Sequence, residues 1–331
     1  MAFEKSLKIN LNNFKKEIKE IPTREGFGNG LLVLGEKNSN VVVLSADVAQ
    51  STRCDKFANK FPERFFQIGI AEQNLAAIAS GMGVSNKIPF ISAYSVFSPG
   101  RNLEQIRTTI AYNNSNVKIA GHHTGLLTGY DGATHQALED IAIMRTLPNM
   151  KVIVPCDAIE AEKATIASTK ISGPVYIRLA REKTPVFTSK KTPFIPGKAD
   201  VFWKSSAKPK VVIIGCGPIL YNVLLAAEEL DKEGIGTIVL NNHTIKPLDE
   251  KKIINFAKKY GAVVTVEEHS ILGGLGSAIA ELLAKNCPAP MEFVGTKDVF
   301  GESGHPKDLW KKYGLETENI KTAVKKALKR K

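Results

Sequence analysis

An α/β fold, two three-layer domains with mostly parallel sheets, is what this sequence of 331 residues predicts. Three observations predict it. Apolar runs rich in Val and Ile alternate with helical stretches along most of the chain, the pattern of a βαβ layer fold with right-handed crossovers. The runs lack the apolar–polar alternation of half-exposed strands, as expected for strands covered on both faces. One stretch without period, at 182–208, carries three prolines and several lysines and divides the alternation in two, as a linker would.

The first set of strands reads VVVLSAD (41–47), IPFISAYS (88–95), NVKIAGHH (116–123), KVIVPCD (151–157) and PVYIRLA (174–180). Between them AEQNLAAIASGMG, NLEQIRTTIAY, HQALEDIAIMRTL and AIEAEKATIAS are predicted helices. Beyond the linker PKVVIIGCG, GTIVLNN, AVVTVEEH and MEFVGT read as strands, with YNVLLAAEEL, EKKIINFAKKY and SAIAELLAKN as helices. An amphipathic helix, ENIKTAVKKALKR, closes the chain. The predicted boundaries are a first domain at 1–190, a linker at 191–204 and a second domain at 205–331.

Composition excludes several classes. Hydrophobic residues at 43% and charged residues at 24% are the balance of a soluble protein with real cores. Glycines and prolines are scattered without period, which excludes collagen-like and low-complexity chains. No apolar stretch is long enough to span a bilayer. The N-terminal MAFEKSLKINLNNFKKEIKE has charges throughout and no apolar signal core, so a cytoplasmic location is expected. Cys54, Cys156, Cys216 and Cys287 lie far apart with no metal-ligand spacing, so reduced thiols are expected, Cys156 and Cys216 as packing at strand ends. The formal charge is +12, yet the densest basic block, KKALKRK, has no interleaved aromatics. That pattern predicts solvated surface and attraction for anionic metabolites rather than nucleic-acid binding. GCGPI (215–219) and GGLGS (273–277) could present backbone N–H groups to a phosphate. Neither completes a G-x-G-x-x-G with an acid, and no Walker lysine follows, so tight turns are expected.

Polar residues gather where open α/β sheets place ligands, at the ends of predicted strands. The clusters are SADVAQST, SAYSVFSPGR, HHTGLLTGYDGATHQ, and Arg178 with Arg181. A further element, GIAEQN, puts Glu72 at the start of a helix. Taken singly, Glu72 could merely complement a helix dipole, each arginine could form a surface ion pair, and His135 could cap a helix.

The longer strings carry more. RFFQIGIAEQNLAAIASGMG, GHHTGLLTGYDGATHQALEDIAIMRTLPNMKVIVPCDAIEA and TIKPLD…VTVEEHSILGGLGSAIAELL closely resemble transketolases, from about Thr23 to the C-terminal helix. The resemblance covers the pyrimidine-binding and C-terminal domains, the C-terminal half of an ordinary transketolase. The family's GDG…N motif, which holds Mg²⁺ and the cofactor phosphates, is missing; Tyr130-Asp131-Gly132 belongs to the other motif. The resemblance therefore implies the C-terminal subunit of a split transketolase. Such a subunit would use thiamine diphosphate to move a two-carbon ketol unit from a ketose phosphate to an aldose phosphate in the pentose phosphate pathway. It also implies an N-terminal partner subunit holding most of the Mg²⁺ site, an α2β2 heterotetramer, and no metal ligand in this chain.

Carried over residue by residue, the resemblance implies that Glu72 shares a proton with a ring nitrogen of the aminopyrimidine. Burial away from water makes such sharing cheap for a carboxyl group. Tyr94 and Phe97, with Phe66 nearby, would cradle the ring, since a flat heteroaromatic gains from stacked faces. A third aromatic, common in the family, is replaced by Gly100. Asp47 matches a position near the thiazolium ring, where a structural role is equally open. Arg24, Ser51, His123 and Arg181 match positions that hold the substrate phosphate, a task suited to the planar arginine fork. Asp131 would read a substrate hydroxyl and His135 would contact the donor's reacting end; His122 is expected outside the site.

Three rivals were weighed. Deoxyxylulose-phosphate synthases share G-I-A-E-Q and D-G-x-T-H-Q, but usually have Asp-Arg where this chain has His122-His123, and a Gly-containing run where it has Ala-Leu-Glu-Asp. The β subunits of 2-oxoacid dehydrogenases generally lack D-G-A-T-H-Q. A non-catalytic module with the same fold is the third, because fold alone does not fix function. Against it stands the joint retention of Glu72, His123, Asp131, His135 and Arg181.

Overall fold

The computed structural model describes residues 18–331; most of the charged N-terminal stretch lies outside them. In chain order the first strands are β1 (Glu20–Ile21), β2 (Val41–Ser45), β3 (Phe65–Gln67), β4 (Ile88–Tyr94), β5 (Lys118–His122), β6 (Lys151–Ile153), β7 (Val175–Arg178) and β8 (Thr184–Pro185). There follow β9 (Asp200–Lys204), β10 (Pro209–Gly215), β11 (Gly236–Asn241), β12 (Thr244–Lys246), β13 (Val263–Ser270) and β14 (Met291–Thr296). One sheet has the order β12-β6-β7-β5-β4-β2-β3, the other β14-β13-β10-β11-β9, and β1 with β8 forms a small antiparallel ribbon. Each large sheet is parallel except for one edge strand, β12 in the first and β9 in the second. The two α/β sheets are the fold class the Val- and Ile-rich runs predict.

Five short strands, β1, β3, β8, β9 and β12, lie outside the predicted runs, and two of them change the architecture. The chain enters the second sheet at Asp200, inside the predicted linker, and Phe202 and Trp203 of β9 are buried. Lysines and prolines around this short strand masked its apolar pair. Strand β12 is supplied by the second half of the chain but completes the first sheet, antiparallel to β6. One apolar cluster accordingly runs from Leu44 and Ile91 through Val152 to Val212, Ile214 and Leu275.

The helix Thr23–Lys37 was not among those predicted, because Gly26, Gly28, Gly30 and Gly35 argue against a helix by propensity. Packing overrides this. A Cβ on Gly26 would stand 1.9 Å from the Ala158 carbonyl oxygen, and one on Gly30 2.8 Å from the Thr165 side chain. These glycines let the helix seat directly on the helix Ala158–Ser168, whose N-terminus Asp157 caps by accepting from the Glu160 N–H at 2.9 Å. Gly26→Ala should therefore lower stability by about 2 kcal/mol, the scale of overpacking against backbone that cannot yield. Urea denaturation measures it; a midpoint unchanged from wild type would contradict the close approach.

The predicted helix over 135–147 starts only at Asp140. Residues before it are held extended, with Ala137 bridged to Thr124 and its carbonyl accepting from the Gly125 N–H at 2.9 Å. NLEQIRTTIAY forms one short turn, Leu103–Gln105, and then a wide π-helical turn, Ile106–Ala111.

Both glycine clusters serve the chain itself. At GGLGS the N–H groups of Leu275 and Gly276 donate to the Glu267 carboxylate at 2.7 and 2.8 Å, and a Cβ on Gly274 would meet that carboxylate at 2.1 Å. The helix N-terminus thus binds an internal anion. At GCGPI, Gly217 turns with φ 72° and its N–H donates to the Val154 carbonyl. All four cysteines are free. Much of the C-terminal basic block is paired, Lys326 and Arg330 with Glu292 and Lys325 with Glu233. Among the described residues no helix is long and apolar enough to cross a membrane.

Candidate active site

Strand order places the site. Parallel register sets Ser45 beside Ser92, Tyr94 beside His122, and Gly121 beside Arg178, so β2, β4, β5 and β7 end along one edge. The polar segments that follow these strands meet there, at the carboxyl ends where such sheets hold ligands.

Glu72 begins the helix Glu72–Val84 and is 2% exposed. Its carbonyl accepts from Asn102 Nδ2 at 3.0 Å, which ties the helix start to the turn after β4. Its Oε2 accepts from Arg101 Nη1 at 2.7 Å. The Arg101 guanidinium also lies over the Phe97 ring, 4.6 Å from the centroid. Phe97 stacks with Tyr94 at 6.5 Å and 25°, and His135 meets Phe97 edge-on at 5.5 Å. Tyr94 in turn lies 4.0 Å from His123.

At the far end of this row is a cationic group. Arg24, in the first turn of its helix, donates from Nη1 to the Ser51 carbonyl at 2.8 Å and to His123 Nε2 at 3.5 Å. Arg181 donates to the Thr128 carbonyl at 2.8 Å and pairs with Asp131 at 3.0 Å. Burial, then the neighbouring charges of Arg53 and Arg181, hold the Arg24 pKa below its usual value. Burial, with His122, Arg24, Arg181 and His135 nearby, pushes His123 down to about 2, so its ring is neutral. With Nε2 accepting from Arg24, the His123 proton sits on Nδ1. That atom and Arg24 Nε are both buried without a hydrogen-bond partner. Two orphaned donors among like charges are what a site for acceptor oxygens presents before its ligand arrives.

The structure brings together Arg24, Ser51, Glu72, Tyr94, Phe97, His123, Asp131, His135 and Arg181. Two residues lie outside this set of contacts. Phe66, in edge strand β3, makes no ring contact with Tyr94, Phe97 or His135. Asp47 is an exposed residue with φ 61°, and its N–H donates to Gln67 Oε1 at 2.8 Å, a turn role at the end of β2. His122 is fully buried against Phe27, with rings 5.0 Å apart and T-shaped, and burial lowers its pKa to about 3. Arg178 is an internal residue: its Nε donates to Asp140 at 2.9 and 3.1 Å, and Tyr176 OH donates to the same carboxylate at 2.7 Å.

Sequence reasoning gave no role to Arg101, the last residue of the SAYSVFSPGR cluster, or to Asn102, which follows it. Gly100 explains what occupies the third aromatic's position, for a Cβ there would meet the Val96 carbonyl oxygen at 1.9 Å. The tight turn excludes a side chain at 100, and the next one, Arg101, covers Phe97 instead. Among the described residues no group of three His, Cys, Asp or Glu is arranged to hold a metal ion. A separate concavity of about 640 Å³, lined in part by Tyr221, Trp310, Glu182 and Glu318, contains none of these site residues.

Two α/β domains with mostly parallel sheets, and a buried acid beside stacked aromatics and arginines at the strand ends, define a class of two-domain α/β protein with a polar strand-end site. Family comparison narrows the class. Residues 19–186 match the transketolase pyrimidine-binding domain and residues 201–320 the transketolase C-terminal domain. A putative transketolase C-terminal section of Methanocaldococcus jannaschii is 42% identical over 310 residues, covering 93% of this chain and 96% of that protein. A 6-deoxy-6-sulfo-D-fructose transketolase subunit of a Clostridium species is 37% identical, covering 96% and 98%. A solved split-gene transketolase, described as an inactive beta4 tetramer, superposes with TM-score 0.87 at 46% identity, covering 93% of this chain and 99% of that one. The chain belongs to the transketolase family.

Proposed function

We propose that this chain is the C-terminal subunit of a two-chain, thiamine diphosphate-dependent transketolase. It transfers a two-carbon ketol unit from a ketose phosphate to an aldose phosphate, in the pentose phosphate pathway and in the cytoplasm. The observation that carries the reading is one continuous row of contacts, from the buried Glu72 carboxylate through Arg101 to Phe97, Tyr94 and His123 and on to Arg24. One end suits a flat nitrogen heterocycle and the other suits an anion.

Bound thiamine diphosphate would supply the carbon acid and electron sink for carbon–carbon cleavage. This chain's own residues do the rest. Glu72 holds a proton at the ring nitrogen of the aminopyrimidine, and Tyr94 and Phe97 hold the ring's faces. Asp47, near the thiazolium ring, and Phe66, near the aminopyrimidine, would add to the cofactor site from outside this row of contacts. Arg24, His123 and Arg181, with Ser51 lining the same corner, fix the substrate phosphate and so orient a carbonyl several bonds away. Asp131 reads a hydroxyl, and His135, beside Phe97, contacts the reacting end.

The diphosphate and Mg²⁺ would be held mainly by an N-terminal partner subunit, in an assembly of two copies of each chain with sites at the contacts between subunits. Relatives named as a section or a subunit support this, as does a structure of such a chain alone that is described as inactive. One related subunit is named for 6-deoxy-6-sulfo-D-fructose, a sugar that also ends in an anion, which supports an anion-holding corner in this framework.

Mixing the purified chain with a subunit carrying the diphosphate-binding domain tests the proposal. Ketol transfer between a ketose phosphate and an aldose phosphate should appear only in the mixture and only with thiamine diphosphate. Activity of the chain alone, or silence of the mixture, would overturn it.

A further inference from the structure

We propose that Arg101 is a built-in occupant of the aminopyrimidine seat, a latch that a ligand must displace to reach Glu72. The inference rests on the seat assigned above to Glu72 and Phe97. The turn that carries Arg101 is tightly wound: Ser98 N–H donates to the Tyr94 carbonyl at 2.8 Å, Gly100 N–H to Ser95 at 3.3 Å and Arg101 N–H to Phe97 at 3.0 Å. With no room for a side chain at Gly100, the first group able to cover Phe97 from this turn is the Arg101 guanidinium.

That guanidinium makes two contacts at once. Its Cζ lies over the Phe97 ring, 4.6 Å from the centroid, and Nη1 donates to Glu72 Oε2 at 2.7 Å. A flat group that stacks on an aromatic face while its N–H edge bonds a carboxylate imitates a protonated nitrogen heterocycle in shape and polarity. The guanidinium and such a ring cannot share one face of Phe97 and one carboxylate oxygen. Exposure shows which way the latch opens. The Glu72 side chain is 3% exposed whereas that of Arg101 is 47% exposed, so the arginine swings into water while the acid stays. A half-exposed ion pair of this kind is weakly held, which makes it a competitor rather than a permanent block. The subunit would thus keep its buried carboxylate paired until a ring arrives, and would bind that ring more weakly than the seat alone allows.

The test is titration of the full chain with thiamine, followed by saturation-transfer NMR on the aminopyrimidine proton. Arg101→Met should bind thiamine about tenfold more tightly than wild type, a difference of about 1.4 kcal/mol. Arg101→Ala, which asks nothing of the surrounding packing, should do the same. Unchanged or weaker binding by both variants, with wild type still binding, would overturn the latch and leave the seat standing. Binding by none of the three chains would overturn both.

Discussion

In the assembled enzyme, Glu72→Gln should lower ketol transfer by about a thousandfold or more, within the range expected when a proton-transferring group is lost. The thermal unfolding midpoint should barely move. Glutamine matches the shape of the carboxyl group, and its oxygen can still accept from Arg101. The backbone anchor from Asn102 to the Glu72 carbonyl does not involve the side chain at all. What the amide cannot do is take up a proton and give it back. Steady-state rates with saturating thiamine diphosphate, together with circular dichroism melting, separate these effects. Turnover within tenfold of wild type would remove Glu72 from the chemistry.

The largest effect on stability is expected from Asp140→Asn. The Asp140 carboxylate is 1% exposed and accepts from both Arg178 and Tyr176, and Arg178 is itself 4% exposed. Removing one partner of a buried pair leaves the other charge without compensation, at a cost of about 3–5 kcal/mol. That is a large part of the roughly 5–15 kcal/mol by which folded proteins exceed their unfolded states. Replacing both, Asp140→Leu with Arg178→Met, should cost clearly less than Asp140→Asn alone, because the guanidinium that Asp140→Asn strands is removed with its partner. Guanidinium denaturation of the two variants decides it. A loss below about 1 kcal/mol for Asp140→Asn would mean that the pair contributes little.

The long strands of both sheets were legible because Val and Ile runs signal burial on two faces whatever surrounds them; the short edge strands β3, β9 and β12 have no such run. The helix Thr23–Lys37 was not, since its four glycines only make sense once the helix they lie against is known. At the site, the strand-end clusters and the family strings led to Glu72, Tyr94, Phe97, His123 and the two arginines, which do converge. Phe66 and Asp47 match the family equally well as strings. Their backbone positions, an edge strand and a left-handed turn at the end of β2, leave them outside the row of contacts that runs from Glu72 to Arg24. Arg101 closes the SAYSVFSPGR cluster, but its contact with Glu72 stayed unread because it depends on the turn at Gly100, which brings the guanidinium over Phe97.

The strand Thr244–Lys246 has a mechanical corollary. Since the later half of the polypeptide donates the outermost ribbon of the earlier half's sheet, the halves are interlocked rather than merely adjacent. Severing the backbone around residue 190 would leave two fragments clasped together, whereas expressing the leading fragment by itself would strand a bare hydrogen-bonding rim, open to any extended peptide that came along.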